Sequence, residues 1–497
     1  MPSFQFTPLA AIQGLGKELQ TTFRSGVTRD LKFRKQQLKA MQQLLEENSD
    51  ILAEAIHGDM RKHRMEAMLE IIPTINECKH LIKNLDRLAK PKSAKAHYAI
   101  NSMDKLIVRK DPKGVVLVIG AWNYPVYLLL DPVLGAIAAG NCVIIKPSEV
   151  SSHTAKVVTE LIPKYLDSRF YRVVNGGAQE TTALLEEPLD HIFYTGGGTV
   201  GKIIMAKAAQ QLIPVTLELG GKSPTVVLPD AVNATTASRI AWGKFFNCGQ
   251  TCVAPDYVLV QKDQVEEFTE LVRNAIVKFY GKDAASSDSY SRIVNERQYD
   301  RLANMMQGVD PVTVHAVGEN NREDLFIAPT VVAPVPAKGH PLMEDELFGP
   351  YLPIVPVDDV DHAIDIINMR DHPLALYVFG DNKKQVDKLI DNTRSGGVLV
   401  NDVIIHVAEH GISFGGVGPS GMGSYHGDNS FNTFVHERSV MFKPSGMEKV
   451  LAARYPPYTD DKVSLIRVLF AGLPAAIHAK FIAIFKFIVT LRRVFSS

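Results

Sequence analysis

Two constellations in this chain have the residue types and spacing for chemistry. Gly196-Gly197-Gly198-Thr199-Val200-Gly201 spells G-x-G-x-x-G, a pattern with meaning only where a strand runs into a helix. Glycines there allow a tight turn and a close approach of backbone to a pyrophosphate, and the helix N-terminus offers its unpaired N–H groups. In a standard dinucleotide fold an acid about 20 residues further on holds the ribose, and Glu218 in 215–219 (VTLEL) stands in that place. Alone, this points to nicotinamide or flavin binding, with an ordinary strand-to-helix turn as the alternative. The second constellation is 245–252 (FFNCGQTC). A lone cysteine is usually a small buried hydrophobe, but Cys252 has company. The segment 216–224 (TLELGGKSP) brings an acid and a Gly-Gly turn to one strand end, and 121–125 (AWNYP) brings the Asn123 amide to another. Glu218 is therefore claimed by both constellations.

The elements that must position these residues follow from periodicity. Leu38, Met41, Leu45, Leu52, Ala55 and Ile56 recur at helical spacing, and 65–88 repeats the pattern, so two long amphipathic helices are expected to open the protein. A strand at 105–109 (KLIVR) precedes the turn Asp111-Pro112-Lys113-Gly114. Strand and helix then alternate: strands at 115–119, 143–145, 172–174 and 191–194, helices at 128–139, 151–164 and 199–211, with the segment around Leu184 continuing the alternation between the last two strands. A second alternating stretch takes in a strand near Thr225, a helix at 234–246, a strand at 257–260 and a helix at 266–280. This order predicts α/β architecture with parallel sheets, in two domains. Gly249 reads as a helix C-terminal cap, the glycine-rich stretch 413–427 as loop, and the globular part closes near Lys443.

With 497 residues, 46% hydrophobic and 22% charged, the chain is of ordinary globular composition, which excludes wholesale disorder and a multi-span membrane bundle. Lys+Arg and Asp+Glu number 54 each, so the chain carries no overall electrostatic footprint for nucleic acid. Four scattered cysteines, without a CxxC pair, suit neither a disulfide scaffold nor a zinc site and fit a reducing compartment. Residues 1–20 lack the pattern of a secretory signal.

Seven segments in order, AWNYP, 145–149 (IKPSE), 194–202 (YTGGGTVGK), LELGGKSP, 246–257 (FNCGQTCVAPDY), 345–350 (DELFGP) and 413–423 (SFGGVGPSGMG), resemble the aldehyde dehydrogenase superfamily, most closely its class 3 and fatty aldehyde dehydrogenase branch. The resemblance implies a Rossmann-type NAD-binding domain over 1–91 and 113–221, and an α/β catalytic domain over 222–416. It adds a small bridging β segment for oligomerisation over 92–112 and 417–445, and a membrane-associated C-terminal tail over 446–497. It implies oxidation of an aldehyde to the acid with NAD, NADP being an admitted alternative, and no metal. Cys252 resembles the nucleophile, attacking as thiolate to form a thiohemiacetal. Its place after a helix C-terminus does not help an anion, so activation is expected from Glu218 through water or from the positive nicotinamide. The Asn123 amide and the Cys252 N–H resemble the oxyanion hole. Oxidation leaves a thioester, and Glu218 moves from ribose ligand to the base for its hydrolysis. Lys146 resembles the ligand of the adenosine ribose. Glu149 would bond a ribose hydroxyl and disfavour a 2′-phosphate. Gly196 and Gly201 frame the pyrophosphate turn, Glu346 orients the nicotinamide ribose, and Phe348 packs nearby. Cys248 departs from the family's pattern and is either inert or able to pair reversibly with Cys252.

Beyond Val463 apolar residues dominate, interrupted by Arg467, Lys480, Lys486, Arg492 and Arg493, with no acid after Asp461. A spanning helix needs about 20 nearly uncharged residues, and Pro474 would break one. The apolar stretches 468–479 and 481–491 suit a basic interfacial helix, or else a helix docked on a partner subunit. Together with 454–457 (RYPP), the tail resembles that of the membrane-anchored fatty aldehyde dehydrogenases. The expectation is a homodimeric enzyme of lipophilic, long-chain aldehydes on the cytoplasmic face of a membrane: endoplasmic reticulum, lipid droplet or outer mitochondrial membrane. Apocarotenals or aromatic aldehydes are the alternative substrates, and a cofactor-binding scaffold without turnover is the non-enzyme alternative.

Overall fold

The computed structural model describes residues 4–446, 448–470 and 476–496. The chain divides into two compact units: Met1–Leu88 with Pro112–Phe434, and Ala89–Asp111 with Val435–Ser497.

The first unit is built on two sheets. One has six strands in the lateral order Gly421–Met422, Val215–Glu218, His191–Thr195, Val115–Ile119, Cys142–Lys146, Tyr171–Val173. All pairs are parallel except the first, where Gly421 lies opposite Glu218. Its three central strands are buried at every residue, as expected where helices cover both faces of a parallel sheet. The helix Tyr127–Ala139 is likewise buried along its whole length, which explains why its sequence, Asp131 apart, is apolar on every face rather than striped. The chain leaves Val115–Ile119 to one side and returns to His191–Thr195 on the other. That reversal is where open α/β sheets form a ligand crevice, beyond the C-terminal strand ends.

The other sheet has seven strands in the order Val314–Ala316, Thr330–Val332, Tyr351–Val357, Tyr257–Gln261, Pro224–Val227, Ala375–Phe379, Gly397–Val400, parallel except for the first. The five residues between Glu218 and Pro224 are the direct link from one sheet to the other.

The second unit carries a three-stranded sheet, in the order Lys92–Ala94, Lys105–Pro112, Val435–Phe442. It ends in the helices Asp460–Leu469 and Ile477–Ser496, which pack on one another. No helix among the described residues is long and apolar enough to cross a membrane. Pro474 lies outside the described residues.

Three expectations are corrected. The N-terminal helices number more than two: Leu15–Arg24 precedes them, and the helical stretch after Asp30 breaks into Leu31–Glu47 and Ser49–Met60. The break falls at Asn48, whose side chain donates to the Leu44 carbonyl and to Tyr165, a local alternative to continuing the helix. The 413–427 stretch is not all loop, since Gly421–Met422 extends the six-stranded sheet. A Cβ at Gly421 would stand 2.1 Å from the Leu217 carbonyl oxygen, so only glycine lets this segment approach. Finally, the helix Ala234–Phe245 ends before Gly249, and Asn247, Cys248 and Gly249 are all left-handed (φ 52°, 54° and 74°). Two consecutive non-glycine residues in that region are unfavourable, and tertiary contacts hold them there.

Candidate active site

Most of the singled-out residues fall on two facing kinds of edge. Asn123, Lys146, Gly196 and Glu218 stand at or just beyond the C-terminal ends of four adjacent parallel strands of the six-stranded sheet. Cys252, Glu346 and Gly220 stand just before the N-terminal ends of three adjacent strands of the seven-stranded sheet. The link 219–223 joins the two edges.

Among the described residues Cys252 is the one cysteine that is not buried. Burial of its surroundings, with the carboxyls of Glu346 and Glu218 adding to it, pushes its thiol up to about 12. The resting group is therefore a thiol, and an activating charge or base is needed to make it a nucleophile. Glu218 is 3% exposed, and neither of its carboxyl oxygens has a hydrogen-bond partner among the described residues. Desolvation raises its pKa well above the usual carboxylate range. A buried carboxyl without partners costs stability, and such a group is a stronger base than a solvated one.

Asn123 is 3% exposed. Its Nδ2 donates to the Gln250 carbonyl at 3.0 Å, which uses one of the two N–H donors of the amide and faces the other residues of the Cys252 turn. Next to it, Tyr124 and Thr251 share a hydrogen bond of 2.5 Å. Gln250 itself is anchored at both ends: Nε2 donates to the carbonyls of Asn247 and Arg292, and Oε1 accepts from the Val294 N–H.

Glu346 packs on Gly220, where a Cβ would stand 2.3 Å from its carboxylate. Burial and nearby Asp256 push its carboxyl up to about 8, while the Gly221 N–H, Lys222 and Arg301 pull the other way. The loop bearing Glu346 and Phe348 is fixed through Asp256, which accepts from Lys222 at 2.8 Å and from the Leu347 N–H at 3.3 Å. Arg301 also donates to the Leu347 carbonyl at 2.7 Å. Phe348 is left-handed (φ 47°), and its ring meets Trp122 edge-on at 5.3 Å between centroids.

The G-x-G-x-x-G turn leaves room for a phosphate group at its helix N-terminus. Open space surrounds Gly197 and Gly198, where an added Cβ would meet nothing within 4 Å, at the start of the thirteen-residue helix Gly198–Gln210. Gly196 and Gly201 are glycines for close packing instead: a Cβ would stand 2.3 Å from the Tyr194 hydroxyl and 2.9 Å from Leu219 respectively. Lys146, 3% exposed, pairs with Glu149 at 3.3 Å, and burial lowers its pKa. Among the described residues no group of three or more potential ligands could hold a metal ion.

The model of the family described as "Aldehyde dehydrogenase family" matches residues 18–440. The chain belongs to the aldehyde dehydrogenase family. As such it is an NAD(P)-dependent oxidoreductase that oxidises aldehydes. It is 45% identical over 449 residues to "Aldehyde dehydrogenase family 3 member A2" of Rattus norvegicus, covering 90% of this chain and 92% of that one. It is also 45% identical over 450 residues to "Aldehyde dehydrogenase, dimeric NADP-preferring" of Mus musculus, covering 90% and 98%. Among solved structures, the substrate-bound Staphylococcus aureus AldH superposes with a TM-score of 0.88 at 37% identity, covering 94% of this aldehyde dehydrogenase and 100% of that chain.

Sequence reasoning missed the residues that hold this site from behind. Lys62, Glu66 and Glu70 are buried (0%, 7% and 1% exposed) and bond the turns carrying Asn123 and Asn247. A usable signal was present: Glu66 and Glu70 are one helical turn apart and share the buried face of Arg64–Ala89 with Ala67 and Ile71. Carboxylates on an apolar stripe are rarely buried unless paired.

Proposed function

We propose that this aldehyde dehydrogenase oxidises long-chain aliphatic aldehydes at a membrane surface, as a homodimer, with Cys252 as nucleophile, Glu218 as base and Asn123 as oxyanion donor. The observation that carries the chemistry is the half-buried Cys252 within electrostatic reach of the buried Glu218 carboxyl, whose oxygens have no hydrogen-bond partner among the described residues. Cys252 gives its proton to Glu218 through water, which passes it on to solvent, and Sγ attacks the aldehyde carbon while the Asn123 amide with the Cys252 N–H takes the charge developing on oxygen. NAD(P), when bound, supplies the two-electron acceptor for this oxidation. Lys146 and Glu149 would hold a ribose, Gly197 and Gly198 would admit the pyrophosphate, and Glu346 with Phe348 would orient the nicotinamide end. Water, deprotonated by Glu218, then hydrolyses the Cys252 thioester and frees the acid.

In this proposal residues 1–91 and 113–221 serve cofactor binding and 222–416 catalysis, with 92–112 and 417–445 bridging subunits. The tail supports membrane contact: in the helix Ile477–Ser496, Phe481 and Phe485 are 69% and 68% exposed, and Ile482, Ile484 and Ile488 are exposed beside Lys486 and Arg492. Exposed apolar side chains with interspersed cations match a helix lying in the interface. A lipophilic aldehyde concentrates in that layer. NADH formation with hexadecanal, hexanal and an apocarotenal tests the reading. Hexadecanal should have the highest kcat/KM; preference for the apocarotenal overturns the substrate class, and no turnover with any aldehyde leaves the scaffold.

A further inference from the structure

Lys62 lies in the three-residue connection between the helices Ser49–Met60 and Arg64–Ala89, right after left-handed Arg61 (φ 51°), and its side chain is fully buried. Its Nζ donates to the Asn123 carbonyl at 2.6 Å, lies 3.5 Å from Glu70 Oε1, and sits 4.0 Å over the Tyr124 ring. The other oxygen of Glu70 accepts the N–H groups of Val126 and Tyr127, at 3.1 and 3.3 Å. One ion pair thus grips the 123–127 turn from both sides. The Asn123 carbonyl also accepts Asn247 Nδ2 at 3.0 Å, and the same Nδ2 reaches the Gln250 carbonyl that holds the Asn123 amide. Glu66 closes the network, accepting the Asn247 N–H at 3.3 Å and the Ser291 hydroxyl at 2.8 Å.

A buried ion pair is poor evidence of a need for stability, since apolar residues of like volume commonly serve as well. What a charged donor adds is a short, directional bond, and here that bond falls on the backbone of the residue whose amide must be aimed. We propose that Lys62 is a positioning residue for aldehyde oxidation, fixing the Asn123 carboxamide relative to the Cys252 turn through the Asn123 carbonyl, with Glu70 as its counter-ion. The proposal rests on the oxyanion role given to Asn123 above.

The test is a mutant cycle in the full chain, with hexanal and NAD. Lys62→Met with Glu70→Gln removes the ion pair as a unit, while Glu66 keeps the Asn247 N–H and the Ser291 hydroxyl, and kcat should fall about 10–100-fold, with the KM for NAD within about twofold. Asn123→Ala should fall about 10²–10³-fold, and adding the neutral pair to it should cost less than about threefold more, as for groups acting as a unit. Lys62→Arg keeps the charge, and its thermal melt reports whether the fold is kept. Its guanidinium cannot reproduce a point contact, so kcat should drop about three- to tenfold with Asn123 present and hardly at all in Asn123→Ala. Losses that multiply in either cycle, or a change confined to KM for NAD, overturn the Lys62 proposal while leaving Asn123 in place. A wild-type rate for Asn123→Ala instead overturns the oxyanion reading, and the proposal with it.

Discussion

A Cβ placed on Gly249 would stand 2.2 Å from the carbonyl oxygen of Gly349. The turn leading to Cys252 and the loop carrying Glu346 and Phe348, a hundred residues apart in sequence, therefore meet backbone to backbone. Gly249 is also left-handed at φ 74°, so a side chain is opposed both by its own backbone and by its neighbour.

Gly249→Ala should cost more than about 1 kcal/mol in chemical denaturation and should lower kcat well beyond what that loss of folded protein explains. Denaturation with and without NAD, beside steady-state kinetics, reads both. An unchanged kcat would mean that the contact does not set the distance between nucleophile and cofactor site.

Cys252→Ala should abolish oxidation with NAD affinity within a few-fold, and Cys248→Ala should keep most activity. Cys248 is buried, its thiol donates to the Tyr290 hydroxyl at 3.4 Å, and burial pushes it up to about 12. Iodoacetamide should label Cys252 first. Because its thiol also lies near 12, the apo-enzyme labelling rate should climb about tenfold per pH unit from 7 to 10 without a plateau.

Glu218→Gln should leave a burst of NADH followed by slow turnover, since the amide keeps shape without basicity. A ribose role would raise the KM for NAD instead. The variant also has a stability signature. A carboxyl whose folded pKa is raised above 4.5 favours the folded state below its unfolded value and loses that contribution as pH rises, because the unfolded chain releases the proton first. Replacing it removes the loss, so the Tm of Glu218→Gln relative to wild type should increase from pH 4.5 towards 8. A pH-independent difference would show Glu218 ionised and solvated in the resting enzyme.

Phe481→Glu with Phe485→Glu should release the protein from anionic liposomes without unfolding it. Fully burying a phenylalanine contributes about 1.5–3 kcal/mol, so losing two lowers partitioning at least about 100-fold. Flotation, with hexanal and hexadecanal kinetics in parallel, should show less discrimination for the long chain in the presence of vesicles. Undiminished flotation would leave subunit docking as the role of the helix.

Where Asn123, Lys146, Gly196, Glu218 and Cys252 would stand was legible from sequence because each adjoins a strand end, and strand ends are marked locally by apolar runs yielding to glycine, proline and polar residues. The apolar helix Tyr127–Ala139 and the parallel sheets were legible for the same reason. What the chain could not declare locally is who meets whom across long separations. Asn48 reads as an ordinary helical residue until Tyr165 is there to engage it. Gly421 reads as loop until the Leu217 carbonyl makes it a strand edge. Asn247 tolerates a left-handed backbone but Cys248 carries no such signature; Glu66 and Asn123 hold the turn from other elements through the Asn247 N–H and Nδ2. Lys62 looks like a solvated cation between helices, and only the folded chain closes water away from it and leaves the Asn123 carbonyl as its partner. Periodicity and turn chemistry are short-range properties of sequence, whereas burial, orphaned carboxyls and shifted ionisation arise from atoms that only tertiary packing brings together.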